Sequence, residues 1–327
     1  VPKTNQTIFR PLQLLILLIK SARPRQWIKN LALYAALIFS GLFFFEPASG
    51  PPYALVVTYA VIVFSLLTSS IYIINDLIDY EADRQHPFKK NRPIASGQLP
   101  RGLAMLAAAL GLLIVFATSF YFTLFFRLLV LAYFLLQVLY ANKLKHIPIL
   151  DVVSIATGFL IRIYAGAVVV NLHMSVWFLL TVISASLFLA VGKRQSERTL
   201  LKNSDVQLIG STRKTLSRYS QRLLDQYTGM FANATWLTYA LFAFQNEVAR
   251  PDVRYAFIFT LLPKALHSQK LLMLSLPFVI FGVMRYLQLV YESNEGESPE
   301  KVLLNDKPLL IDAFLFGLVV MLVTYAI

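Results

Sequence analysis

The chain has 327 residues, of which 57% are hydrophobic and only 14% charged, with 25 Phe, 16 Tyr and no Cys; its mean hydropathy is +0.63. A soluble domain carries about 25% charged residues, so this composition excludes an ordinary soluble globule and points to an integral membrane protein. The lack of cysteine excludes a disulfide framework and thiolate metal sites, and the net charge of +13 is first a question of topology.

A bilayer core roughly 30 Å thick asks for about 20 apolar residues per helix. The apolar runs are continuous rather than alternating, so helices are expected and barrel strands are not. Residues 1–29 read as an interfacial N-terminal segment, because the apolar run in "PLQLLILLIK" is short and no small-residue cleavage site follows it. Nine spans are then expected at 31–46, 53–74, 103–122, 124–141, 148–170, 176–192, 226–245, 271–291 and 308–327. The third and fourth are parted only near Thr123, which reads as a helical hairpin. The stretch 254–266 contains Pro263 and Lys264 and is read as interfacial or re-entrant. No separate soluble domain fits in the two long polar loops, 75–102 and 193–225, so residues 1–327 form a single membrane domain. With the N-terminus cytoplasmic, 23 Lys and Arg fall in loops on that side and 5 on the other, as the positive-inside rule requires. Both long loops then face the cytoplasm, and the net charge needs no nucleic-acid partner.

The first long loop opens with "NDLIDYEADRQHPFKKNRPIASG", four acids and five bases counting His86. Asn75, Asp79 and Asp83 are four apart and stack along one helix face, whereas Asp76 points about 100° away. Carboxylates at that spacing repel one another unless a cation sits between them. An oxygen-rich face suits Mg²⁺, which takes one or two carboxylates plus substrate phosphate oxygens. Lys89, Lys90 and Arg92 follow at once, where phosphate would be received. The plainer reading is a solvated helix end with ordinary charge patterning. Metal flanked by Lys and Arg is, however, the equipment of diphosphate departure. No competing chemistry stands out: His86, His146, His173 and His267 are scattered, and there is no Gly-rich phosphate loop or Ser/His/Asp arrangement.

Three further stretches carry charge into the apolar runs. "RPRQWIKN" brings Arg23, Arg25 and Lys29 to the start of the first span; alone, these would be interfacial anchors. Arg162, in "GFLIRIYAG", lies near the middle of the fifth span, where a charge costs at least about 2.5–3.5 kcal/mol. It is expected to face a polar cavity or an acid such as Asp151, with Gly158 and Gly166 permitting close helix packing. "GKRQSER" closes the sixth span with Lys193, Arg194 and Glu197.

The aspartate stretch resembles the N-D-x-x-D-x-x-x-D motif of the UbiA superfamily of intramembrane prenyltransferases. Its continuation through "RPIASG", together with "RPRQWIKN", "GFLIRIYAG", "LFLAVGKRQSE" and "RYLQLVYESNEGESPEKVLLNDKPLL", is similar to one branch, whose members move phosphoribose onto a polyprenyl phosphate. The resemblance implies an all-α bundle of nine transmembrane helices around a laterally open cavity with a cytoplasmic cap. It implies Mg²⁺, with Mn²⁺ as a substitute, on Asn75, Asp79 and Asp83. Substrate phosphates would go to Lys29, Lys89, Arg92, Arg162, Lys193 and Arg194, and catalytic parts to Asp79, Asp83 and Glu197. The substrates would be phosphoribosyl pyrophosphate and a polyprenyl phosphate of decaprenyl type. The product would feed a lipid-linked, arabinose-type pentose donor for cell-envelope glycans, made at a bacterial plasma membrane; homo-oligomerisation stays open. Aromatic prenyltransferases of the same fold carry a second aspartate-rich motif after the sixth helix. Here 193–225 has only Glu197, Asp205 and Asp225 among eight Lys and Arg. Aromatic prenyl transfer for quinone or haem synthesis is therefore the alternative. A lipid or solute transporter is the remote one, since paired broken helices are missing.

Overall fold

A computed structural model describes residues 11–85, 89–203, 219–246, 270–292 and 305–326. Every regular element among them is helical. Helix α1, Pro11–Ala22, lays Leu14, Leu17 and Leu18 on the end of α3 and turns Leu15, Ile16 and Ile19 outward.

The expected first span is the element that differs most. In place of an α-helix over 31–46 there is a 3₁₀ helix at Pro24–Leu33 followed by a short α2, Tyr34–Phe39. Side chains three apart eclipse on a 3₁₀ helix, which lines up Trp27, Asn30 and Leu33 on one side. The indole of Trp27 donates to Ser69 at 2.9 Å, and the Asn30 amide donates to Ser65 and Thr68 at 3.1 and 3.3 Å. Leu33 lies against Gly166, where a Cβ would meet the Leu33 carbonyl oxygen at 1.9 Å. The stretched rise also gives these 16 residues a reach of about 29 Å, nearly the bilayer core.

Helix α3, Tyr53–Ile78, is about 39 Å long, longer than a bilayer core of about 30 Å, and carries Asn75 and Asp76 in its last turn. A short α4, Tyr80–Gln85, continues its direction through backbone bonds from Asp79 to Asn75 (2.9 Å) and from Asp83 to Asp79 (2.8 Å). Helices α5, Arg101–Ser119, and α6, Leu124–Asn142, form the expected hairpin. Thr123 caps α6 by accepting from the Phe126 N–H, while Arg127 donates to the carbonyls of Phe120 and Phe122 that end α5. Helix α7 is Leu150–Val169, α8 Val176–Asn203 and α9 Gln221–Gln245. Two last helices, α10 at Leu276–Tyr291 and α11 at Lys307–Met321, each start on a proline in the first turn.

Helix α7 is the hub, touching the 3₁₀ helix, α2, α3, α6 and α8. The bundle closes where its beginning meets its end. The Tyr325 hydroxyl donates to the carbonyls of Leu37 and Ile38, and Phe39 gathers the rings of Phe178, Phe242 and Phe316 within 5.4–6.5 Å. Among the described residues seven helical stretches are long and apolar enough to cross a membrane, two fewer than expected. The first expected span is the 3₁₀ segment. The seventh, α9, is long enough but too polar, with Thr228, Asn233, Thr235 and Thr238 along it. The loop expected from residue 193 is also shorter, because α8 continues to Asn203. Residues 204–218 and the stretch 254–266 lie outside the described residues.

The Gly166→Ala variant is expected to force the 3₁₀ helix off α7 and destabilise the protein by about 1–3 kcal/mol, read as a lower melting temperature in detergent. Asp306 offers a pH-dependent counterpart. It caps α11 through the Leu309 N–H at 2.9 Å and accepts a two-pronged Arg285 pair from α10 at 2.7 and 3.2 Å. These bonds, Arg285's first, hold its carboxyl below the usual range. Its stabilisation is therefore present above the ordinary Asp value of about 3.9 and lost as pH falls through the depressed one. The Asp306→Asn variant is expected to melt lower than wild type at pH 7, with the gap closing in acid.

Candidate active site

The C-terminal ends of α3, α6 and α8 and the N-terminal ends of α5 and α7 share one side of the bundle, and three polar clusters gather there. The first is built on the aspartate stretch. Asp76, set aside by helical spacing, is buried, and its Oδ1 accepts from Arg23 Nη2 at 2.5 Å and Arg92 Nη1 at 3.1 Å. The same Arg92 nitrogen reaches Asp83 Oδ2 at 2.5 Å. The Asp83 side chain is only 3% exposed, whereas that of Asp79 is 43% exposed, with Lys145 Nζ at 3.7 Å. Asn75 is half-buried. Lys89 and Lys90 stand on an exposed 3₁₀ turn, Lys89–Asn91. Arg23 reaches Asp76 from a left-handed backbone position, φ 53°, and stacks over Tyr72.

The second cluster lies deeper. Arg162 is 6% exposed, and its donors go to neutral acceptors. Nε donates to Asn30 Oδ1 at 2.9 Å, Nη1 to the Gly158 carbonyl at 3.1 Å and Nη2 to the Tyr133 hydroxyl at 2.6 Å. Asp151 is not its partner: it lies eleven residues back on α7, about 16 Å along the axis. Gly166 does permit close packing, but beside Gly158 a Cβ would find only ordinary contacts.

Asp151 anchors the third cluster. Its Oδ2 accepts from Arg194 Nε at 2.7 Å and its Oδ1 from the Tyr219 hydroxyl at 2.7 Å. That hydroxyl accepts in turn from the Ile149 N–H, whose residue has φ 70°, an outlying value for a β-branched side chain. Burial and the Asp151 carboxylate push the Tyr219 phenol above its ordinary range, so it stays a donor. Arg194, 2% exposed, also binds Glu197 and the Tyr140 hydroxyl. The site residues expected on α8 are therefore split. Arg194 and Glu197 are tied to each other, while Lys193 is half-buried within Coulombic reach of Lys29, Glu197 and Arg194; Lys29 is half-buried on the 3₁₀ helix.

Asn75, Asp79 and Asp83 carry hard oxygen donors at a spacing of four, the chemistry Mg²⁺ prefers, with Asp83 turned to the Arg92 it shares with Asp76 and Asp79 turned to Lys145. Among the described residues no group of three or more His, Cys, Asp and Glu forms a ready cage, so substrate oxygens would have to complete the shell. Sequence reasoning missed Asp76, Asn30, Tyr133, Tyr140 and Tyr219 as members of these clusters. Only Asp76 and Asn30 carried a signal, as polar residues at the margins of apolar runs.

The model of the UbiA prenyltransferase family matches residues 33–305, and the chain belongs to that family. It is a multi-pass membrane transferase. Among curated proteins it is similar to the decaprenyl-phosphate phosphoribosyltransferase of Mycolicibacterium smegmatis, 36% identical over 90% of this chain and 88% of that one. It is also similar to that of Corynebacterium glutamicum, 31% identical over 94% and 86%. Among solved structures, a UbiA homolog from Archaeoglobus fulgidus bound to DMAPP and Mg²⁺ shares its fold with TM-score 0.65 over 93% of this chain and 98% of that one, at 18% identity.

Removing Arg194 would leave the Asp151 carboxylate buried without its cation. Arg194→Ala is expected to lose about 3–5 kcal/mol in a thermal-unfolding measurement, with Asp151→Asn recovering part of the loss in the double variant.

Proposed function

We propose that the protein transfers 5-phosphoribose from phosphoribosyl pyrophosphate to a polyprenyl phosphate of decaprenyl type, releasing pyrophosphate, as a step towards a lipid-linked pentose donor for envelope glycans. The observation that carries this reading is the cytoplasmic end of α8. Where a prenyl-diphosphate enzyme of this fold would need a second carboxylate cage, the described residues put Lys193 and the Arg194–Glu197 pair. Lys193 and the neighbouring Lys29 suit additional anionic groups, namely the donor's 5-phosphate and the acceptor's phosphate, while Arg194 is engaged by Asp151 and Glu197. The similarity to the phosphoribosyltransferases over most of both chains supports the same conclusion.

In this reading Asn75, Asp79 and Asp83 hold Mg²⁺, which neutralises the departing diphosphate when bound. Lys89 and Arg92 receive donor phosphate oxygens. Lys29 and Lys193, from opposite elements, hold the acceptor phosphate, and Arg162 adds a buried positive potential below them. The lipid phosphate is already anionic near neutral pH, so its oxygen bonds to the anomeric carbon without a general base, and the diphosphate leaves with the electron pair. Positive charge building at that carbon is stabilised by the nearby carboxylates. Arg194 and Glu197 serve by fixing α8 against α7 rather than by touching substrate. The polyprenyl tail lies along apolar helix faces at a lateral opening of the bundle, and the loops and N-terminus face the cytoplasm of a bacterial plasma membrane.

Everted vesicles given labelled phosphoribosyl pyrophosphate and polyprenyl phosphate are expected to place label in the lipid fraction only with Mg²⁺, whereas right-side-out vesicles, which do not admit the donor, are not. Asp79→Ala and Asp83→Ala are each expected to lower transfer by about a hundredfold or more; undiminished transfer in either would refute the metal face.

A further inference from the structure

Asp83 poses a physical problem for a residue assigned to a metal. Its side chain is 3% exposed, and a Mg²⁺ ion brings waters and substrate oxygens with it. Asp79, four residues away on the same face, is open by comparison at 43%. The group that lies on Asp83 is itself a cation: Arg92 Nη1, 2.5 Å from Asp83 Oδ2. The same nitrogen is 3.1 Å from Asp76 Oδ1, so one guanidinium corner bridges two carboxylates from different helices. Arg92 follows a short turn and keeps 27% of its side chain exposed, so it can swing. Asp76 would not be stranded by its departure, because Arg23 holds the same oxygen at 2.5 Å from the other side.

We infer that Arg92 is the exchangeable cation of this site: it lies on Asp83, and a divalent ion entering the metal face displaces it towards the donor's phosphates. Asp76, paired permanently with Arg23, is the positioning residue that parks Arg92 beside the metal face. The inference rests on the metal face of the proposed function but adds an order of events. Two mutually repelling carboxylates, Asp76 and Asp83, are held together by the arginine charge between them. The displaced guanidinium then becomes a bidentate phosphate ligand at the moment phosphate is present. Arg92 thus competes with metal when donor is absent and assists it when donor is bound.

Two measurements on the full-length protein in nanodiscs test this without any transfer assay. Mn²⁺ binding, followed by electron paramagnetic resonance in the absence of donor, is expected to be about tenfold tighter in Arg92→Gln than in wild type, because the binding-competent fraction of Asp83 rises. Asp83→Asn is expected to weaken binding. Unchanged or weaker binding in Arg92→Gln, with Asp83→Asn still weakening it, sinks the exchange while leaving the metal face standing. If Asp83→Asn has no effect, the metal face fails and the inference with it. The second measurement needs no variant that could misfold. Phenylglyoxal modification of Arg92 in the wild type, read by peptide mass spectrometry, is expected to quicken severalfold when Mg²⁺ is added at constant ionic strength. A rate that stays level or falls overturns the proposal.

Discussion

A buried guanidinium deep in the bundle sets the arrangement of everything around it. Water cannot solvate Arg162 there, so protein groups have to supply its acceptors, and they come from Asn30, Gly158 and Tyr133. Those acceptors lie on the 3₁₀ helix, α7 and α6, which brings three elements to one point. Asn30 then passes the requirement to Ser65 and Thr68 of α3. The polar chain runs across the interior of an apolar bundle and dictates that the 3₁₀ helix press against α7 at Gly166.

At the end of the bundle that carries the aspartate stretch the same constraint takes a different form, because carboxylates are there to pair with the cations. Acid and base are matched there across elements rather than along them. Arg23 meets Asp76, Arg92 meets Asp76 and Asp83, Lys145 meets Asp79, and Arg194 meets Asp151. Such pairs contribute little net stability, since desolvation offsets much of their attraction, but breaking one leaves an uncompensated charge. Their effect is therefore positional: they fix the basic turn and the segment before the 3₁₀ helix to the acidic stretch of α3 and α4, and the end of α8 to the start of α7. The third cluster shows the strictness of the arrangement, with Tyr219 joining the strained Ile149 backbone to Asp151.

The spans, the hairpin at Thr123 and the aspartate stretch were legible because they depend on local properties: apolar length, capping chemistry and a spacing of four. The same local logic failed for the first span. A 3₁₀ coil over Pro24–Leu33 is favoured only by what it meets, the side chains of Ser65, Thr68 and Ser69 and the bare backbone at Gly166. Asp76 failed for a related reason. Helical spacing set it apart from Asn75, Asp79 and Asp83, whereas the structure joins it to Asp83 through Arg92, and the two arginines that cover it arrive from positions 23 and 92.

Sequence alone determined that this is a polytopic helical membrane protein of the UbiA type, with an acidic face and basic partners gathered at one end. The helical membrane character and the acidic face follow from composition and periodicity, and the UbiA type from the resemblance of the motifs, all of them properties of the chain. Only the tertiary structure decided which groups partner which: Arg162 with amide, carbonyl and phenol rather than with Asp151, Arg194 with Asp151 and Glu197, and Asp83 with Arg92. Charge pairing in a low-dielectric bundle is settled by which side chains come within about 4 Å of one another, and neighbours drawn from distant helices leave no periodic trace in the sequence.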